Sequence, residues 1–220
     1  MWALRFLGWI GRLLARPQSD SAPSLSTLTG GSRPAVAELS VVSSGPSRSQ
    51  FIIRKFLMTV EKQKGQGEVG GNNAGPYVSK LKRAGVKPGV DLGAWCASGT
   101  SWCLEQCLGG PEKTAAYYGV SLAKWNKRRH GAKALFSMLK PLGHTGPNQE
   151  PQPGMLALWH RGKAGSWQGH ISPVIAVHAN GQFSVMHFNR GGYPAIVHES
   201  RHCLGEGGLL GFVNIAKPEK

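Results

Sequence analysis

Ile52, Phe56 and Val60 recur at i, i+4 and i+8, so residues 51–64 present the apolar stripe of a helix. Residues 65–76 form a glycine-rich loop, and a short helix over residues 77–84 meets the breakers Pro88 and Gly89. Helical character returns over residues 95–108 and stops at Gly109 and Gly110, which suit the left-handed turn that ends a helix. Two further helical stretches, 114–125 and 132–139, flank a basic junction at 124–129 that reads as a solvated charged turn. After Pro153 and Gly154 the pattern shortens to strands at 155–159, 170–178, 183–188, 195–197 and 210–215. Helices followed by strands predict an α+β fold with a small antiparallel sheet. Asn180-Gly181 is the dipeptide favoured in two-residue type I′ turns, so the strands on either side should be antiparallel neighbours.

Upstream of this domain the pattern differs. In residues 1–17, Arg5, Arg12 and Arg16 share one narrow helical stripe flanked by Trp2, Phe6, Trp9 and Leu13, a basic amphipathic segment able to touch an anionic membrane surface. An interfacial anchor, an atypical export signal and an extension without a folded role all fit it. Residues 18–50 are Ser-, Gly- and Pro-rich and read as a flexible linker, leaving residues 51–217 for the folded domain.

Charge adds a constraint on partners. Among 220 residues, 26 Lys and Arg face 11 Asp and Glu, a formal charge of +15 that attracts nucleic acid, anionic lipid or acidic wall polymers. No zinc-finger spacing, RNP-type motif or helix-turn-helix pattern accompanies the charge, so nucleic acid is not the expected partner. No apolar run reaches the roughly 18 residues of a membrane span. Four cysteines are too few and too uneven for a disulfide framework, and without a C-x-x-C knuckle or an H-E-x-x-H helix no metal or other cofactor is expected.

Chemistry concentrates on Cys96, placed in the first turn of a helix just after Gly93 and Ala94, where free amides and the macrodipole favour a thiolate and an oxyanion. Cys103 and Cys107 lie deeper in the same helix and read as inert, buried thiols. A thiol nucleophile needs a base, and the base needs an orienting group. Of eight histidines, His170 stands apart because Gly169 precedes it and a largely apolar strand follows, whereas His130, His144, His160, His178, His198 and His202 read as solvated. With a two-residue turn, cross-strand partners sum to 361, which puts Asn189 diagonal to His170 and His187 one step further away. That register favours Asn189 over His187 as orienter.

The stretches Glu68-Val-Gly-Gly-Asn-Asn-Ala-Gly-Pro-Tyr-Val78, Ala94-Trp-Cys-Ala-Ser-Gly-Thr-Ser-Trp-Cys-Leu104, Pro153-Gly-Met-Leu-Ala-Leu158 and Trp167-Gln-Gly-His-Ile171 resemble the CHAP family of cysteine, histidine-dependent amidohydrolases and peptidases, relatives of the NlpC-type enzymes. The resemblance implies a papain-like domain, with Trp95-Cys96 as the nucleophile motif, Gly169-His170 as the base, and His187 or Asn189 as the third polar residue. Met155 stands where the family usually has an acidic residue, Gly99 where a large apolar one is usual, and Pro173 interrupts the strand after the histidine. Trp95, Trp167 and Phe188 are the aromatic candidates for a substrate groove. The implied activity is hydrolysis of an amide or peptide bond in peptidoglycan. A catalytically silent module of the same fold, or a cysteine amidase with a non-wall substrate, are the alternatives.

Overall fold

A computed structural model describes residues 45–82 and 93–219; the amphipathic segment 1–17 and most of the linker expected at 18–50 lie outside them. Helix α1 (Arg48–Glu61) starts three residues before the apolar stripe does. The Ser47 hydroxyl accepts from the Gln50 amide while the Gln50 side chain reaches back to the Ser47 amide, a reciprocal cap that satisfies two donors the helix leaves open. Helices α2 (Pro76–Lys82), α3 (Cys96–Leu108), α4 (Pro111–Tyr118), α5 (Leu122–Arg128) and α6 (Ala132–Leu139) follow. The single helix expected over 114–125 is two helices. Gly119 ends α4 at φ 67°, a backbone that suits glycine, and Ser121 caps α5.

Six antiparallel strands complete the α+β fold: β1 (His144–Thr145), β2 (Leu156–His160), β3 (Gly169–His178), β4 (Gln182–His187), β5 (His198–Cys203) and β6 (Leu209–Val213), in the order β1-β6-β2-β3-β4-β5. Successive residues of central β2 point to opposite faces. Leu156 and Leu158 join the core shared with the helices, while Ala157 and Trp159 join a second cluster with Val174, Phe183, Val185 and Phe212. The strand expected at 195–197 reduces to one bridge between Ile196 and Gly67, and β5, a polar edge strand, follows immediately after it.

The basic junction is also corrected. Arg129 is fully buried, its Nε 2.8 Å from Glu105 Oε1 and its Nη2 3.2 Å from Glu105 Oε2, with the Trp125 indole donating to the same carboxylate at 2.8 Å. Arg129 Nη2 also donates to the Leu81 carbonyl at 3.1 Å, and Ser101 donates to the Arg129 carbonyl at 3.0 Å. A charge inside the core persists only when paired and hydrogen-bonded, as here. The result ties α2, α3 and α5 together.

Candidate active site

Helix α3 opens at Cys96 without a side-chain cap, so its first amides remain available. Those of Cys96 and Ala97, together with the Ile171 amide from β3, act on the Cys96 sulfur. Burial nonetheless dominates and pushes the thiol above its ordinary range, with these three amides and the Arg161 guanidinium pulling the other way. The residue before it is held rigidly: the buried Trp95 indole donates to Glu68 Oε1 at 2.9 Å. Glu68 also accepts from the amides of Asn73 and Ala195, each at 2.9 Å, clamping the glycine-rich loop and the segment before β5 to the start of α3.

Cys96 and His170 line one cavity of about 530 Å³ with Arg161, Trp167 and Asn189, and none of its described lining residues is acidic. His170 sits two residues into β3, beside β2, and is only 2 % exposed. Its Nε2 lies 2.8 Å from His187 Nδ1, and the Ser172 hydroxyl bridges the pair at 3.0 and 2.8 Å. Burial, followed by the charges of Arg161, Arg190, His202 and His198, lowers the His170 pKa to about 3. His187 is driven down further by burial and by His170 and Arg190. Both rings are therefore neutral at pH 7.

His187, not Asn189, is the residue beside the His170 ring. The turn holds three residues rather than two, pairing His178 with Gln182, and a bulge between Val174 and Ala176 brings Val174 opposite Val185. Partner sums thus fall from the expected 361 to 360 and then 359, moving β4 by two residues and setting His187 diagonal to His170. Asn189 lies beyond the end of β4 at φ 57° and donates to Asn73 Oδ1 at 3.0 Å.

The three aromatic candidates separate. Trp167 is 80 % exposed at the cavity, whereas Trp95 and Phe188 are buried and meet edge to face, ring centroids 6.2 Å apart. Gly99 is the reason Phe188 fits under α3, since a Cβ there would stand 2.4 Å from Phe188 Cδ1.

Three residues of the same network, His202, Glu206 and Arg190, were missed by sequence reasoning. His202, expected to be solvated, is buried with Nε2 3.0 Å from His187 Nε2 and Nδ1 2.6 Å from Glu206 Oε1. Arg190 Nη1 lies 2.6 Å from His187 Nε2 and 2.8 Å from His202 Nε2. Alternation along β5, with Ser200 and His202 two apart, was the available signal for His202, masked by the polar character of the whole strand. His130, also expected to be solvated, borders the cavity and pairs with the Ser98 hydroxyl at 2.8 Å. Among the described residues no His, Cys, Asp and Glu cluster has metal-site geometry.

No curated protein matches the chain. A solved structure titled "The crystal structure of Ly7917" is similar at TM-score 0.45 and 18% identity over 74% of this chain, and the chain covers 62% of that one. CHAP domains are typically amidases or peptidases of peptidoglycan-type substrates. Residues 88–189 match the model of that family, the CHAP domain.

Proposed function

We propose that the protein hydrolyses an amide or peptide bond in the peptide part of peptidoglycan, with Cys96 as nucleophile and His170 as base. The observation that carries this reading is the meeting of Cys96, at the start of α3, and His170, at the start of β3, in one cavity, with His170 Nε2 engaged by His187. That engagement leaves Nδ1 as the ring nitrogen for the thiol. A buried, neutral pair favours proton transfer during attack over a standing thiolate–imidazolium pair.

Cys96 gives its proton to His170 as sulfur attacks the carbonyl carbon, and amides at the start of α3 receive the oxyanion. The protonated ring hands its proton to the departing amine, leaving a thioester on Cys96. Water, deprotonated by His170, then attacks the thioester; a carboxylate leaves and the sulfur takes its proton back. His187 orients the ring, and the exposed Trp167 packs on substrate. The +15 charge favours anionic walls, and the segment 1–17 offers contact with an anionic membrane.

Purified peptidoglycan incubated with the wild-type protein and with Cys96→Ser, followed by mass analysis of released fragments and assay of new amino groups, tests the reading. Wild type should release peptides and Cys96→Ser should not. No release by wild type under reducing conditions, or equal release by the variant, overturns it.

A further inference from the structure

The polar chain behind His170 does not stop at His187. It runs His170, His187, His202, Glu206, with ring-to-ring contacts of 2.8 and 3.0 Å and a final contact of 2.6 Å to the carboxylate. Glu206 is fixed in turn by the Trp159 indole, which donates to Oε1 at 2.7 Å, and by the Cys203 amide, which donates to Oε2 at 3.3 Å. Trp159 lies against all three imidazoles, with centroids 6.1, 5.9 and 5.0 Å away. Arg190 enters at the middle of the chain, where its Nη1 reaches both His187 Nε2 and His202 Nε2.

Each neutral imidazole carries one ring proton, so the two ends of this chain make opposite demands. A carboxylate only accepts, so His202 carries its proton on Nδ1 and presents a bare Nε2. If His187 donates to that nitrogen, its own Nδ1 is bare, His170 carries its proton on Nε2, and His170 Nδ1 is free to take the proton of Cys96. Arg190 selects the other arrangement. Its Nη1 has two hydrogens, and donating one to each Nε2 forces the His187 proton onto Nδ1, from which it is donated to His170 Nε2. The His170 proton then sits on Nδ1 and blocks transfer from the thiol.

We infer that Glu206, acting through His202 and His187, is a positioning residue that selects the competent tautomer of His170, and that Arg190 opposes it by selecting the blocked one. This rests on the proposed Cys96–His170 pair but not on the identity of the substrate. The charged and titratable groups facing the chain are Arg161 near His170, Arg190 and His198 near His187, and Glu206 near His202, while Ser172 and Ser200 add hydroxyls that donate or accept in either arrangement.

Two readouts test the inference without peptidoglycan. In nitrogen-15 spectra of the histidine rings, with His170 assigned by loss of its signals in His170→Gln, Glu206→Leu should carry the His170 proton on Nδ1 and Arg190→Met should carry it on Nε2. Iodoacetamide labelling of Cys96 at pH 7, followed by peptide mapping to separate it from exposed Cys203, should slow at least about tenfold in Glu206→Leu and hold or quicken in Arg190→Met. If Glu206→Leu does not fold, His202→Phe cuts the chain one ring earlier among aromatic neighbours and carries the same expectation. The same protonated nitrogen in both variants, or a Cys96 labelling rate unchanged when the chain is cut, overturns the inference. Failure to digest peptidoglycan while both readouts move as stated would count against the substrate and leave the tautomer selection standing.

Discussion

Gly99→Ala separates two opposed effects whose signs differ. In a helix interior, alanine is favoured over glycine by about 0.5–1 kcal/mol, so an unobstructed site would be stabilised. Here the added methyl meets Phe188 at 2.4 Å from Cδ1, 2.7 Å from Cγ and 3.1 Å from Cβ, against ordinary contacts near 3.5–4 Å. Phe188 cannot swing away cheaply, because it is buried against Trp95, which Glu68 holds. Overpacking of this kind costs about 1–3 kcal/mol, and a 2.4 Å approach to an immobile ring belongs in the upper part of that range, about 2–3 kcal/mol, leaving a net loss of about 1–2.5 kcal/mol after the helix gain. Urea and thermal unfolding should show the melting temperature falling by about 3–6 °C. Because Phe188 follows His187 in the chain, a displaced ring also misplaces the His170 partner, and kcat on wall peptides should drop by about ten- to a hundredfold. Combining Gly99→Ala with Phe188→Leu should recover part of the stability, a coupling of about 1 kcal/mol or more. A Gly99→Ala protein as stable as wild type or more so would refute the packing argument.

Three further outcomes follow from the same geometry. His187→Ala should lower kcat by about 10²-fold or more with little change in KM, whereas Asn189→Ala, which removes a bond to Asn73 and none to His170, should cost less than about tenfold; steady-state kinetics with a soluble wall peptide decide between them. Arg129→Met should destabilise by about 3–5 kcal/mol in chemical denaturation, because it leaves the buried Glu105 carboxylate without its cation. Stability should fall between pH 6.5 and pH 4. His170 is lowered to about 3 in the folded protein, so over that window the unfolded chain binds the proton and the folded one does not, a loss of about 2 kcal/mol by pH 5. Urea midpoints equal at pH 7 and pH 5 would contradict it.

The helices and central strands were legible because they are amphipathic or uniformly apolar. Ile52, Phe56 and Val60 are buried on α1, and Leu156, Ile171 and Val185 are core residues of β2, β3 and β4. The cavity pair Cys96 and His170 was also legible, from local context at a helix start and a strand mouth. Interactions between distant segments were not. The three-residue turn and the bulge near Ile175 leave no mark in residue type, so register arithmetic favoured Asn189. Arg129 looks like its neighbours Lys127 and Arg128 until Glu105 and Trp125, from other turns of chain, close around it. Strand β5 hid because an edge strand bearing His, Glu, Ser and Arg has the composition of a loop.

Glu68 has a consequence for local opening. Through one carboxylate it joins the Asn73 amide, the Trp95 indole and the Ala195 amide, the last of them 127 residues from Glu68 itself. These three segments share this carboxylate as a common anchor, so an opening that breaks it weakens all three contacts together. Amide hydrogen exchange at Asn73 and Ala195 should report similar protection free energies, and the floor beneath Cys96 should loosen in the same event. The cavity wall is thus tied to the thermodynamics of a contact that lies outside the cavity.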